Sequence, residues 1–512
     1  MNNILKFISA GVLMTSVVSC NLDLYPKGSI SWTPGQDLIT NEADLEGFEA
    51  NVMYCFRALE YGSYDIVPDV MVDYFNATSD FNNAYGGVHR LDGTFTPGDY
   101  DIEDNWSNPY AAIKNFNLFI DSARRVPEDL KDRADVARGE AFLGRAFAYL
   151  HLARHFGLVY DPLTADTDLC VPLVTEYDQE ERPGRSTVAE VYGQIKEDLD
   201  SAAVLLARVP GEIRAQHPTI DAVNFMYARY YLDTQNYAEA AHYAMSVINS
   251  DAGYALSSTA GEMLAEWRND SGNEPVMQFY ASPSEGVGGH VAYLGENGMS
   301  NDPIKGLYYR PKFIPTAKLV NSYSQNDLRR QQWFDDTYPS LHNAIWYNDG
   351  STQYYVFSKY PGNQSLNPAS NIPNSGHAVK PFLIGEMYLI AAEAYFESEN
   401  SSSAKTVLNT LQRSRAGNLT ATVTMEEIQN EWYREVVGEG LYFSCLKRWH
   451  KGFDGRDAQN GAPVMTQTDS YENKVLPADD YHFNWPIPTY EIQTNANLAN
   501  QQNEGYSSSV NE

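Results

Sequence analysis

The chain has 512 residues, with 67 acidic against 36 basic side chains and a formal net charge of −31. So negative a surface repels nucleic-acid phosphates and anionic lipid headgroups, which disfavours nucleic acid and anionic membrane surfaces as partners. Its four cysteines are too few for a disulfide framework, so a hydrophobic core must hold the fold.

The N-terminus has the pattern of a bacterial lipoprotein signal. Lys6 precedes an apolar stretch, Phe7 to Val18, that is shorter than the about 20 residues needed to span a bilayer. The stretch ends at Ser19-Cys20, which resembles a lipobox, in which a cysteine follows the cleavage site. We predict a signal peptide over 1–19, lipidation of Cys20, and one domain over 20–512 that a lipid anchor alone attaches to a membrane. An ordinary signal peptide with a chance cysteine is the alternative.

Helical patterns dominate two blocks, about 41–250 and about 380–450. Residues 136–156 are good helix formers throughout, and Gly157 ends the pattern. Thr187 with Glu190 resembles a capping box that begins another helix, expected to end before Pro210.

Two predicted helical hairpins, 225–248 and 389–412, share a common spacing of small and aromatic residues. The matched positions are Ala228 and Ala392, Tyr231 and Tyr395, and Ala240 and Ala404. This spacing resembles the tetratricopeptide pattern, in which alanine lets two helices approach and tyrosine fills the groove beside the crossing. Any antiparallel helix pair is the alternative interpretation.

Two further segments, about 62–107 and about 252–375, lack helical periodicity and are rich in Gly, Asn, Pro, Ser and aromatic residues. Short strands are expected among them, for example over 353–360. Irregular segments of this length in compact proteins are usually either functional or wrongly assigned. The predicted fold is mostly α, with a tetratricopeptide-like helical hairpin scaffold, a long irregular loop-rich layer and a few short strands.

No catalytic or metal-binding motif is complete in the sequence. His151 and His155 have the i, i+4 spacing of zinc ligands on a helix, but Leu152 stands where the catalytic glutamate belongs. A structural histidine pair is therefore favoured. We predict a protein that is not an enzyme and has no cofactor and no metal. Because 67 acidic residues always allow a carboxylate pair at glycosidase spacing, a surface hydrolase stays an alternative.

Five segments of the sequence, taken together, carry a resemblance to a known family. They are 21–28, 138–157, 386–394, 431–449 and 486–506. In this order, behind a lipobox, they resemble the SusD/RagB family of outer-membrane lipoproteins of Bacteroidetes. Within them we expect structural ion pairs of Arg138 with Glu140 and of Glu435 with Arg448.

The resemblance implies a non-catalytic lipoprotein of the outer membrane, facing the cell surface, that binds an oligo- or polysaccharide and delivers it to a SusC-like TonB-dependent transporter. It also implies that the helical hairpins face the transporter and that the loops between them build the ligand surface. A peptide- or glycoprotein-binding protein of the RagB branch, a surface hydrolase and a lid without a ligand site are the alternatives.

Candidate ligand-binding residues are aromatic side chains outside the helical patterns, together with their polar neighbours. Sugar rings stack their C–H faces on aromatic rings, while Asn, Asp and Arg satisfy the hydroxyl groups. In the first loop-rich segment the candidates are Tyr74, Phe75, Asn76, Asp80, Arg90 and Trp106, with Phe81 and Tyr85 also considered. Trp106 is equally well explained as core. In the second segment they are Tyr308, Tyr309, Trp333, Trp346 and Tyr347.

Trp346 is the preferred candidate. The run Tyr347-Asn348-Asp349-Gly350 that follows it predicts a turn, which would present Trp346 at a loop tip. A tryptophan that anchors the loop from beneath is the alternative.

Overall fold

The computed structural model describes residues 37–507, apart from 61, 179, 285–298, 369–375 and 466–469. The predicted signal peptide and Cys20 lie outside the described residues. The helices of the first block are α1 (Glu42–Arg57), α2 (Ser63–Met71), α3 (Gly86–Arg90), α4 (Tyr100–Ser122), α5 (Lys131–Phe156), α6 (Val188–Leu205), α7 (Ile220–Asp233) and α8 (Tyr237–Ile248). Helix α9 (Ala260–Arg268) follows in the second loop-rich segment. The later helices are α10 (Ala317–Ser322), α11 (Leu328–Trp333), α12 (Ile384–Glu397), α13 (Ser401–Ser414), α14 (Met425–Glu435), α15 (Tyr442–Arg448) and α16 (Thr489–Thr494).

Local sequence signals set several helix ends. The Thr187 side chain accepts the backbone N–H of Glu190, and the Glu190 side chain accepts that of Thr187, so the predicted capping box is confirmed. Helix α6 ends at Leu205, before Pro210, as expected. Four other helices begin at a single capping side chain that accepts one backbone N–H. These caps are Asn41 for α1, Asp99 for α4, Thr259 for α9 and Thr424 for α14.

The predicted helical hairpins are present as α7–α8 and α12–α13, and the tetratricopeptide-like scaffold is confirmed. The four alanines of the shared spacing are fully buried, as a close helix crossing requires. Helix α5 packs against both α4 and α6. A Cβ on Gly144 of α5 would lie 2.7 Å from the Phe116 ring of α4, so glycine allows this contact.

The described strands are short and lie mainly in the second loop-rich segment. They are β1 (Phe75–Ala77), β2 (Pro275–Met277), β3 (Met299–Asp302), β4 (Gly306–Tyr309), β5 (Phe313–Pro315), β6 (Phe334–Asp335), β7 (Ser340–His342), β8 (Ile345–Tyr347), β9 (Val356–Phe357), β10 (Phe382–Leu383), β11 (Phe453–Asp454) and β12 (Val475–Leu476). The largest sheet has four strands in the order β3-β4-β7-β8. Of the predicted strand 353–360, only β9 is a strand, paired with β6.

The two loop-rich segments meet in one layer, because β1 of the first pairs antiparallel with β5 of the second. The boundary of the first segment was only partly right. Within 62–107 the structure contains α2, α3 and the first turns of α4. Helix α2 has no long periodic stretch to reveal it, since it spans nine residues and includes Pro68.

Buried ion pairs tie the loop-rich layer to the second helical block. Arg329 binds Asp327, Glu431 and Glu435 at 2.6–2.8 Å, and every partner is buried. Burial raises the pKa of Glu431, but the guanidinium groups of Arg329 and Arg434 outweigh that effect and lower the pKa to about 2.

The ion pairs expected from the sequence have other partners. Arg138 binds Asp135, while Glu140 contacts His217. Arg448 binds Glu393, and Glu435 binds Arg329 and Arg415. Arg138 and Glu140 stand at i, i+2 in helix α5, and such positions do not face each other.

Three cysteines, Cys55, Cys170 and Cys445, are buried and carry free thiols, as the composition indicated. Burial raises the pKa of Cys55 to about 11 and that of the other two to about 12. Among the described residues, no helix combines the length and the apolar character needed to cross a membrane.

Candidate functional site

Strands β7 and β8 form a tight hairpin at the edge of the four-stranded sheet. Its two turn residues, Asn343 and Ala344, have φ of 46° and 64°, the pattern of a type I′ turn. The Asp80 carboxylate accepts the backbone N–H of Asn343 at 3.1 Å and also contacts Arg310 at 3.4 Å. Asp80 of the first loop-rich segment therefore fixes the hairpin that carries Trp346.

An aromatic pair lies on one face of this sheet. Tyr308 of β4 and Trp346 of β8 are both partly exposed, and their rings meet edge-to-face with centroids 5.1 Å apart. The Lys305 ammonium lies 5.6 Å from the centroid of the Trp346 ring and forms an ion pair with Asp349 at 2.9 Å. We call Tyr308, Trp346, Lys305 and Asp349 the aromatic platform. It offers a ring surface flanked by a cation and a carboxylate.

The opposite face of the sheet is a polar core. His342 Nε2 lies 2.9 Å from the Ser340 hydroxyl and 2.8 Å from the Tyr354 hydroxyl. Tyr347 packs against the rings of His342 and Tyr354. Burial lowers the pKa of His342 to about 4, so the ring is neutral at physiological pH. Tyr347, a predicted ligand residue, thus turns toward the inside of the layer.

Trp346 was expected at a loop tip but lies within strand β8. The turn does form beyond it, with Asn348 at φ 54° and Gly350 at φ 99°. The Asn348 side chain fixes this turn through two hydrogen bonds to the backbone of Tyr354. Because strands alternate the direction of their side chains, position 346 faces outward and position 347 inward.

Four candidates of the first segment are core residues. Tyr74, Phe75, Asn76 and Trp106 are at most 2% exposed. Tyr74 donates its hydroxyl to the carbonyl of Tyr433, and Phe75 packs edge-on against Phe357. Asn76 lies in β1, and Trp106 packs between Tyr110 and Phe156. Buried in this way they present no surface to a ligand, so these predictions were wrong.

The considered neighbours Phe81 and Tyr85 are also packed. Phe81 is buried against Phe313 and Tyr471, and Tyr85 is half-buried against the core. Neither contacts the aromatic platform in the interactions of the described residues.

Polar candidates of the first segment serve the fold. Arg90 ends helix α3 and uses its three side-chain nitrogens on nearby residues, binding Asn83, Asp92 and Thr94 at 2.6–3.2 Å. Asp80 lies beside the platform, but its acceptors are engaged by Asn343 and Arg310. Both side chains therefore have a structural role, and their contact with a ligand stays a prediction.

Tyr309 and Trp333 point away from the platform. Tyr309 follows Tyr308 in β4, is 3% exposed, and donates its hydroxyl to Asp335 at 2.9 Å. Trp333 is 1% exposed and packs edge-on against Trp267. Both line a separate cleft on the other side of β4.

Sequence reasoning missed Lys305 and Asp349. No local signal links them, since they come together only when β4, β7 and β8 form one sheet. The sequence does carry a signal for the turn at Lys305, namely Asp302 and Gly306. Asp302 accepts the backbone N–H groups of Ile304 and Lys305, and Gly306 has φ 78°. In the part of the chain that the structure describes, no group of three or more His, Cys, Asp or Glu side chains has metal-binding geometry.

Two family models match the chain over different parts. Residues 59–232 match one described as "Starch-binding associating with outer membrane". Residues 324–506 match one described as "SusD family". Together they include helices α2 to α7 and α11 to α16, and strands β1 and β6 to β12.

Two curated relatives are similar in sequence. "SusD-like protein P2" of Formosa agariphila is 26% identical over 464 residues, covering 82% of this chain and 84% of that protein. "Starch-binding protein SusD" of Bacteroides thetaiotaomicron is 31% identical over 158 residues, covering 30% of this chain and 25% of that protein.

Solved structures share the fold at low sequence identity. A SusD superfamily protein from Bacteroides thetaiotaomicron superposes with a TM-score of 0.73 at 22% identity, covering 90% of this chain and 99% of that one. A "Laminarin binding SusD-like protein" superposes with a TM-score of 0.68 at 19% identity, covering 91% of this chain and 100% of that one.

Proposed function

Because the chain belongs to the SusD/RagB family, we propose that it is a cell-surface lipoprotein that binds a glycan without catalysis and delivers it to a TonB-dependent outer-membrane transporter. The acylated Cys20 attaches it to the outer membrane, and the loop-rich layer holds the ligand. The proposal needs no cofactor.

The observation that carries the proposal is the aromatic platform. Trp346 and Tyr308 are large rings, partly exposed, held edge-to-face on a rigid sheet. Rigid aromatic rings lose little conformational entropy on binding, and they match the flat apolar face of a sugar ring. Lys305 and Asp349 supply a hydrogen-bond donor and acceptor at the edge of the ring surface.

The names of relatives support a carbohydrate over a peptide as the ligand. One relative is named a starch-binding protein, and one structure of the same fold is named laminarin-binding. Starch and laminarin fragments are therefore the first ligands to test here. A peptide ligand is the competing outcome.

Isothermal titration calorimetry against a panel of glycans and peptides tests the ligand class. We expect binding to at least one glycan and to none of the peptides, with no product released from the bound glycan over hours. Tyr54→Ala serves as control for an aromatic substitution, because Tyr54 is 61% exposed on helix α1 of the scaffold. Turnover by the pure protein, abolished by a single carboxylate substitution, would show that the protein is a hydrolase.

The anchor and the transporter need a separate experiment. Cys20→Ala should release the protein from the outer membrane, because acyl chains supply the membrane affinity in this proposal. Purification of the unmodified protein in mild detergent at native expression should recover a TonB-dependent transporter with it. Recovery of the lipoprotein alone would count against delivery to a transporter, while leaving glycan binding intact.

A further inference from the structure

We propose that the cleft on the other side of strand β4 is a second carbohydrate-binding site, which takes neutral sugar rings. This inference rests on the proposed function and adds a site to it. The cleft has a volume of about 560 Å³ and lies between α9, α11 and the segments 334–338 and 355–361. That is within the range of small-ligand pockets, about 300–1,000 Å³.

The floor of the cleft is rigid. Trp267 and Trp333 meet edge-to-face with centroids 5.9 Å apart. The buried Lys359 ammonium lies 4.4 Å from one ring centroid and 4.1 Å from the other. It donates hydrogen bonds to Glu439 at 2.6 Å and to the carbonyl of Val437 at 2.9 Å. A lysine held in this way keeps both tryptophans in place before any ligand arrives.

One wall of the cleft offers an accessible ring. Tyr338 is 42% exposed and meets Tyr309 in a T-shaped contact, with centroids 6.1 Å apart and planes at 82°. Such a contact occupies at most one face of the Tyr338 ring. The Tyr309 hydroxyl is bound to Asp335, so Tyr338 packs against a fixed partner. Tyr338 therefore has the exposure and the support that a sugar-stacking ring requires.

The rim of the cleft carries polar groups that the fold does not use. Within the described residues, the exposed Arg268 guanidinium and the Asp336 carboxylate make no hydrogen bond or ion pair. Arg330 is bound to backbone carbonyls of Val320 and Tyr323 rather than to a carboxylate. The rim thus offers cationic donors and an anionic acceptor, and both kinds of group can form hydrogen bonds with sugar hydroxyls. Because the carboxylate would repel an anionic ligand, we assign neutral sugars to this cleft.

The cleft and the aromatic platform use consecutive residues of one strand. Tyr308 belongs to the platform, and Tyr309 lines the cleft, because neighbouring side chains of a strand project to opposite sides. A short oligosaccharide bound at one site does not reach around the sheet to the other. A long polysaccharide engages both, which raises its overall affinity by linking two weak binding events.

Calorimetry with a hexasaccharide of the glycan that binds best in the panel, for example maltohexaose or laminarihexaose, tests the second site. We expect two ligands per protein for the unmodified protein. We expect one for Tyr338→Ala, one for Trp346→Ala, and none for the double variant. The polymer should bind the unmodified protein about tenfold or more tightly than it binds either single variant. Tyr54→Ala again serves as the matched control.

A stoichiometry of one in the unmodified protein overturns the second site, and the proposed function survives that result. Absence of binding to every glycan overturns both proposals. If Tyr338→Ala does not fold, the rim variants Arg268→Ala and Asp336→Ala replace it, since neither side chain makes a hydrogen bond or ion pair with the described residues. Each variant is expected to weaken hexasaccharide binding at the cleft by about threefold to tenfold. If both variants bind two ligands with unchanged affinities, the assignment is contradicted.

Discussion

The Asp80 carboxylate accepts a hydrogen bond from the backbone N–H of Asn343, 263 residues away in the sequence. This contact joins the first loop-rich segment to the tip of the β7–β8 hairpin. A hydrogen bond to a charged acceptor contributes about 1.5–3 kcal/mol, enough to matter for a two-residue turn with both residues at positive φ. The position of Trp346 thus depends on a residue of another segment.

Replacement of Asp80 by alanine should loosen the hairpin and weaken glycan binding together. We expect the free energy of unfolding to fall by about 1–2 kcal/mol, because the Asn343 amide loses its charged acceptor. Asp349→Ala is the matched control for stability, since among the described residues Asp349 binds the exposed Lys305 and Ser351, and its loss should leave stability nearly unchanged. Urea denaturation and calorimetry measure the two effects. Equal stability of the two variants would argue against a structural role for Asp80.

Replacement of Trp346 by alanine should weaken binding at the platform by about thirtyfold, since truncation of an aromatic hot-spot residue costs about 2 kcal/mol. The Tm should change little, because the ring is partly exposed and contacts mainly Tyr308 and Lys305. Trp346→Phe, which keeps a ring, should retain more affinity than Trp346→Ala. A large loss of Tm in Trp346→Ala would instead identify Trp346 as a core residue.

Because His342 is buried in its neutral form, the free energy of unfolding should fall in mild acid. Its pKa is about 4 in the folded protein, against about 6.5 in an unfolded chain, so as pH falls from 6.5 to 4 only the unfolded chain gains the proton. The stability contributed by the neutral ring is present above pH 6.5 and is lost across this window, by up to about 3 kcal/mol. His342→Gln has no such proton to bind. The difference in free energy of unfolding between the unmodified protein and His342→Gln should therefore become smaller from pH 7.5 to pH 4.5. If the free energies of the two proteins instead change in parallel with pH, this account is contradicted.

Two helical glycines should respond oppositely to alanine. Gly144→Ala places a Cβ 2.7 Å from the Phe116 ring and should lower the free energy of unfolding by about 1–3 kcal/mol. Gly193 in α6 is exposed and has nothing within 4 Å of such a Cβ, so Gly193→Ala should raise it by about 0.5–1 kcal/mol. Thermal and urea denaturation of both variants decide whether steric contact or helix propensity dominates at each position.

The scaffold was predictable from the sequence because its signals are local. Helix formers up to Gly157, the capping box of Thr187 and Glu190, and the repeated alanine spacing each act within one helix or hairpin. The run of helix formers 136–156 lies within α5, which begins at Lys131.

The candidate site was only partly predictable, because exposure depends on tertiary pairing. Trp346 and Tyr308 were rightly placed outside the helices, but nothing local distinguished them from Tyr74 or Trp333, which are equally aromatic and fully buried. The pairing of β1 with β5 buries Phe75 and Asn76, and it joins segments more than 200 residues apart. In the same way, Lys305 and Asp349 belong to the platform only after the sheet has formed.

The buried cysteines make this protein convenient for site-specific chemistry. Thiols with pKa values of about 11 to 12 are almost wholly protonated at neutral pH, and burial also blocks reagents from Cys55, Cys170 and Cys445. In a variant without Cys20, a single cysteine introduced at the exposed position Ile345 becomes the one thiol that reacts quickly in the native protein. A fluorophore attached there would report ligand arrival beside Trp346, while reaction of the three native thiols would time global unfolding in the same sample.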